Sequence, residues 1–102
     1  MQQTQFSKQQ IKKAIVEAIK DEAGIKKIII MGSFLYSENP GDIDVVVLGT
    51  YNTGYLEISM RLRKKVRHIS KIIPVDIIPI QEDAPQNTFT REIEKGEVVY
   101  ER

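Results

Sequence analysis

The alternation of helical and extended patterns along this chain predicts an α+β fold: a small mixed β-sheet with helices packed mainly on one side. Two observations carry the expectation. Apolar residues recur at helical spacing in two stretches, first Ile11, Ile15, Ala18 and Ile19, then Leu62, Val66, Ile69 and Ile73. Short runs rich in Ile and Val, at 27–31, 42–48 and 75–80, have the length and β-branching of strands. At 102 residues the chain suits one core, so one domain spanning 1–102 is expected.

The first helix begins at a capping box. Ser7 is followed by Gln10, and Phe6 and Ile11 flank the pair as a hydrophobic staple would. Gly24 supplies a stop, because glycine takes the left-handed conformation after a last turn. The 27–31 strand breaks at Gly32-Ser33, and Phe34 to Tyr36 suits a short helical turn. Asn39-Pro40-Gly41 is a turn signal directly ahead of the second strand, 42–48. A loop over 49–54 leads to a second long helix, roughly 55–71, which Pro74 separates from the third strand, 75–80. A polar turn at 81–86 precedes a short helix at 87–95; Gly96 ends it, and Val98-Val99-Tyr100 make a last strand. The connection between the first two strands lets them pair in either sense.

Composition narrows the chemistry. Net charge is +1, so any attraction to nucleic acid or membrane must come from a local patch. With no cysteine and a single histidine, His68, thiolate chemistry and Cys- or His-rich metal sites are excluded. A metal here must be held by oxygen, which favours magnesium, manganese or calcium. Calcium needs a ligand-dense loop that this chain lacks. The polar start, Met-Gln-Gln-Thr-Gln, and the absence of a long apolar run point to a cytoplasmic protein with no membrane association.

The acids inside strand patterns are the informative residues. Successive side chains of a strand alternate faces, so Asp42 and Asp44 share one face with their Cα atoms roughly 6.6 Å apart. Two such carboxylates repel unless a cation lies between them. Asp76 interrupts another apolar run and converges on the pair if its strand is a neighbour. Three carboxylates hold one or two magnesium ions while leaving room for phosphate oxygens, as an in-line phosphoryl displacement requires. Gly32 lets backbone approach a phosphate, and Ser33 adds a hydroxyl and amide N–H groups at the start of a turn.

Gly-Ser, a spacer, Asp-hydrophobic-Asp and a later hydrophobic-Asp-hydrophobic together resemble the nucleotidyltransferases of the DNA polymerase β superfamily, and most closely the minimal nucleotidyltransferase (MNT) proteins. The resemblance runs from about Ile28 to Tyr100, with 94–100 similar to the family's C-terminal turn. It implies a polymerase β-like fold, nucleotide contacts from Gly32 and Ser33, and Mg2+ (or Mn2+) held by Asp42, Asp44 and Asp76. In that family the third acid also helps to activate the nucleophile. The activity implied is nucleotidyl transfer to a hydroxyl, with ATP the donor of AMP. The acceptor implied is a tyrosine of a HEPN-type helical toxin, which such a chain neutralises as antitoxin. A catalytically inactive binding subunit acting by occlusion is the alternative. The chain departs from the family in a shorter spacer, 34–41, and in holding Tyr36 and Ser37 where many members carry arginine and glycine.

Cations crowd the second helix. Arg61, Lys64, Lys65, His68 and Lys71 fall on one face of a continuous helix, opposite Leu62, Val66 and Ile69. A solvated outer face is the expectation, with a polyanion site the alternative. His68 sits among these cations and is expected at the surface. Tyr36 and Tyr51 are the tyrosines expected nearest the acids.

Overall fold

The computed structural model describes residues 6–84 and 88–102. Its elements are α1 (Lys8–Ile19), β1 (Ile25–Met31), a 3-10 turn (Gly32–Leu35), β2 (Ile43–Gly49), α2 (Tyr55–Lys65), α3 (Arg67–Ser70), β3 (Val75–Gln81), α4 (Thr88–Ile93) and β4 (Glu97–Glu101). The expected helix start at 87, the end of the turn before it and the polar N-terminus lie outside the described residues.

The capping box forms as expected. Ser7 Oγ accepts from the Gln10 backbone N–H, and Gln10 Oε1 accepts from the Ser7 N–H at 2.8 Å. Ile11, Ile15 and Ile19 are buried and seat α1 on the sheet. Gly24 takes the expected positive φ, +92°, but as the entry to β1 rather than directly after the last helical turn. A Cβ there would lie 2.2 Å from the Thr50 carbonyl oxygen, so this close crossing admits only glycine.

The long helix expected at 55–71 is two helices. Val66, at φ −102° and ψ 11°, leaves helical geometry and divides α2 from α3. The apolar stripe survives the break, with Leu62, Val66, Ile69 and Ile73 all buried. The continuous face that spacing assigned to Arg61, Lys64, Lys65, His68 and Lys71 is therefore interrupted at its centre.

The sheet order is β3-β2-β1-β4, with β2 and β3 parallel and the other pairs antiparallel. Side-chain alternation sorts the core into two. Ile28, Ile30, Val45, Val47 and Ile77 meet α1, α2 and α3, whereas Ile29 and Val46 pack with Ile93 on the other face. Helices thus lie mainly on one side, and β2, covered on both faces, reads as an apolar run from Val45 to Leu48. β3 is an outer strand. Glu82 N–H bonds the Gly49 carbonyl and the Pro74 carbonyl accepts from Ile43, so even-numbered β3 residues face β2. Pro79 therefore turns its donor-less nitrogen outward, where no ladder bond is lost.

Candidate active site at the starts of the two parallel strands

β1 runs into the end of the sheet from which β2 and β3 start, so three elements meet there. The register places Met31 opposite Asp44 and Asp44 opposite Asp76. Adjacent strands are about 4.8 Å apart, which sets two carboxylate-bearing residues side by side on the face away from α1. Asp42 lies just before β2 and belongs to the same face by alternation.

Gly32 closes the site from below. Its φ is +81°, and a Cβ would stand 2.9 Å from Asp44 Oδ2. The glycine thus does two things: it turns the chain out of β1 and makes room for the carboxylate. Spacing alone suggested a phosphate approach; the close contact with Asp44 was not visible in it. Ser33 is exposed, and its carbonyl accepts from the N–H groups of Tyr36 and Ser37 at 3.1 and 2.8 Å. Phe34, 1% exposed, anchors this turn in the core, and Lys8 Nζ donates to the Ser37 carbonyl while lying over the Phe34 ring. The sequence-derived residues Gly32, Ser33, Asp42, Asp44 and Asp76 are thus brought to one end of the sheet.

Burial, and then the charges of Asp42 and Asp76, push the Asp44 carboxyl above its ordinary range. Asp44 therefore feels both of the other acids electrostatically. Among the described residues, however, no three acidic or histidine side chains converge closely enough to hold an ion as they stand. Asp76 is 62% exposed and is met by Arg63 Nη2 at 3.6 Å, a loose ion pair beyond hydrogen-bond length. The donor set still fits a hard divalent cation. It is all oxygen, lies on one face in register, and carries mutual repulsion that such a cation would relieve.

Arg63 is one of the cations that crowd the second helix in the sequence, but helical spacing placed it off the basic face and gave no sign of its meeting with Asp76. The remaining cations divide. Arg61 and Lys65 are tied to Glu22, at 2.8 and 3.2 Å. His68 is exposed, as expected. Tyr51 is at the other end of β2, donating its hydroxyl to the Val47 carbonyl at 2.7 Å; burial pushes that hydroxyl well above its ordinary range. The expectation that Tyr51 lies near the acids is corrected, since the loop after β2 returns toward Gly24, not Asp44. Tyr36 is 77% exposed beyond the turn.

The family model for polymerase beta nucleotidyltransferases matches residues 13–102. This chain belongs to that family. Its fold is similar to the MNT antitoxin in a Shewanella oneidensis complex with a tri-AMPylated HEPN toxin: TM-score 0.64, 17% identity, 94% of this chain and 74% of that one. A second similar structure is the MntA–HepT toxin–antitoxin, with TM-score 0.63 and 14% identity, over 92% of this chain and 73% of that one. A Sulfolobus solfataricus protein named provisionally as a nucleotidyltransferase follows at TM-score 0.53 and 16% identity, over 89% and 77%. No curated protein matches. These likenesses agree with the mixed-sheet fold and the family expected from Gly-Ser and the spaced acids. Among the described residues no helix is long and apolar enough to cross a membrane.

Proposed function

We propose that this chain is a metal-dependent nucleotidyltransferase in which Asp42, Asp44 and Asp76 hold the ion and Gly32 and Ser33 face the nucleotide. The reading is carried by the row of Asp44 and Asp76 in register beside a glycine packed under one of them. Magnesium, or manganese in its place, suits an all-oxygen donor set and leaves positions for phosphate oxygens and water. When bound, such an ion neutralises charge on the phosphate oxygens during in-line displacement. The chain's own residues do the rest. The turn at Gly32 and Ser33 brings backbone close to the phosphates, and Asp76 accepts or orients the proton of the acceptor hydroxyl. The bond formed joins that oxygen to the α-phosphorus; the bond broken releases pyrophosphate.

The finer reading is transfer of AMP from ATP to a tyrosine of a HEPN-type helical partner, by which the chain acts as a cytoplasmic antitoxin. It draws support from the similarity to an antitoxin seen with a tri-AMPylated toxin. The experiment is transfer of radiolabel from ATP to such a partner. Wild-type protein should label it, and Asp44→Asn should not; equal labelling by both rejects the catalytic assignment.

Occlusion without chemistry is the second reading. It is favoured by exposed apolar side chains on α2, with Tyr55, Leu56 and Met60 at 60%, 70% and 62% exposure. On that reading Asp42→Ala and Asp76→Ala leave neutralisation of the partner intact.

A further inference from the structure

The turn at Gly32 and the strands β2 and β3 beside it hold no lysine or arginine to meet a polyphosphate. Between Gly32 and Ile43 the chain has neither lysine nor arginine. Lys8 reaches the turn but is committed to the Ser37 carbonyl and the Phe34 ring. Among the described residues, the one lysine or arginine that touches any of the three acids is Arg63. It stands on α2, which packs on the opposite side of the sheet, and its side chain meets Asp76 near the start of the outer strand β3.

The pair is loose. At 3.6 Å, with both side chains more than half exposed, it contributes little stability. A divalent ion taking Asp76 would displace the guanidinium easily and leave a planar, always-charged group beside the site. That group is suited to phosphate, which it can grip through two N–H donors.

We propose that Arg63 is the phosphate-binding cation of this site, resting on Asp76 until the ion and the nucleotide arrive and then exchanging carboxylate for phosphate. The exchange makes Arg63 a competitor of the metal alone and a partner of the metal–nucleotide pair. Opposite signs in two binding measurements are the signature. A purely structural ion pair with Asp76 would affect the bare ion alone and leave the affinity for the metal–nucleotide pair unmoved.

The inference rests on the metal-site reading above, and one set of titrations separates the two. Mn2+ binding is measured by electron paramagnetic resonance, and binding of a non-hydrolysable ATP analogue with Mn2+ by calorimetry. The variants are Arg63→Gln, Arg63→Lys, Lys64→Gln and Asp44→Asn. Arg63→Gln should bind Mn2+ alone two- to fivefold more tightly, yet bind the Mn2+–analogue about tenfold more weakly. Arg63→Lys should recover part of the analogue affinity, and Lys64→Gln should match wild type in both. Analogue affinity unchanged in Arg63→Gln, weaker Mn2+ binding in that variant, or an equal loss in Lys64→Gln overturns the role of Arg63. If Asp44→Asn binds Mn2+ as wild type does, or wild type binds none, the metal-site reading falls and this inference with it.

Discussion

Glu22 is buried and Asp44 half-buried, and they meet opposite company. Glu22, 7% exposed, receives Arg61 and Lys65. Burial alone would push its carboxyl up, but the hydrogen bonds from those cations outweigh burial and hold it below its ordinary value. Asp44 faces Asp42 and Asp76 instead, and burial and like charge act in the same direction, upward. One carboxylate is spent on joining α2 to the turn before β1. The other is left unanswered, which is the condition of a group that binds something from outside.

The largest expected effect breaks the unanswered side. Asp44→Asn, which removes a proposed ligand of the ion, should lower nucleotidyl transfer by at least about a hundredfold, measured as label incorporated from ATP. The same variant should raise the melting temperature of the metal-free protein at pH 7. An acid whose folded pKa is raised contributes stability fully present below its unfolded value, near 3.8, and lost as pH rises through the folded value. The gain in Asp44→Asn should therefore vanish at acid pH.

Breaking the answered side should show the reverse. Glu22→Gln should cost about 2 kcal/mol in urea unfolding at neutral pH, through lost charged hydrogen bonds. Its folded pKa is lowered, so the stabilisation is present above the unfolded value and disappears as pH falls through the folded one. Wild type and variant should then converge in acid. Transfer activity corrected for folded fraction should stay near wild type.

Gly32→Ala sharpens the comparison by pressing on Asp44 without changing its charge. A positive φ and a 2.9 Å contact should cost about 1–2 kcal/mol and weaken Mn2+ binding, measured in one titration series. The smallest effect is expected at Ser59, whose buried hydroxyl has no hydrogen-bond partner among the described residues. Ser59→Ala should change unfolding free energy by less than about 1 kcal/mol, toward stability if at all.

Local features were the legible ones. Ser7 and Gln10, the apolar stripe of α1, the Ile and Val runs and the Gly32-Ser33 break could be read because neighbours in sequence determine them. The alternation that put Asp42 and Asp44 on one face is equally local. The register that brings Asp76 beside Asp44 depends on which strands pair and in which sense, and spacing left that open. The break at Val66 was hidden because the burial pattern continues through it. Arg63–Asp76 and Glu22 with its two cations join residues distant in sequence and carry no periodic signal.

Pro79 gives the outermost strand a further property. With its nitrogen directed away from the sheet and bearing no hydrogen, it interrupts the border at which a foreign strand would otherwise align. Copies of this chain are thereby discouraged from zipping together along that rim into extended ribbons.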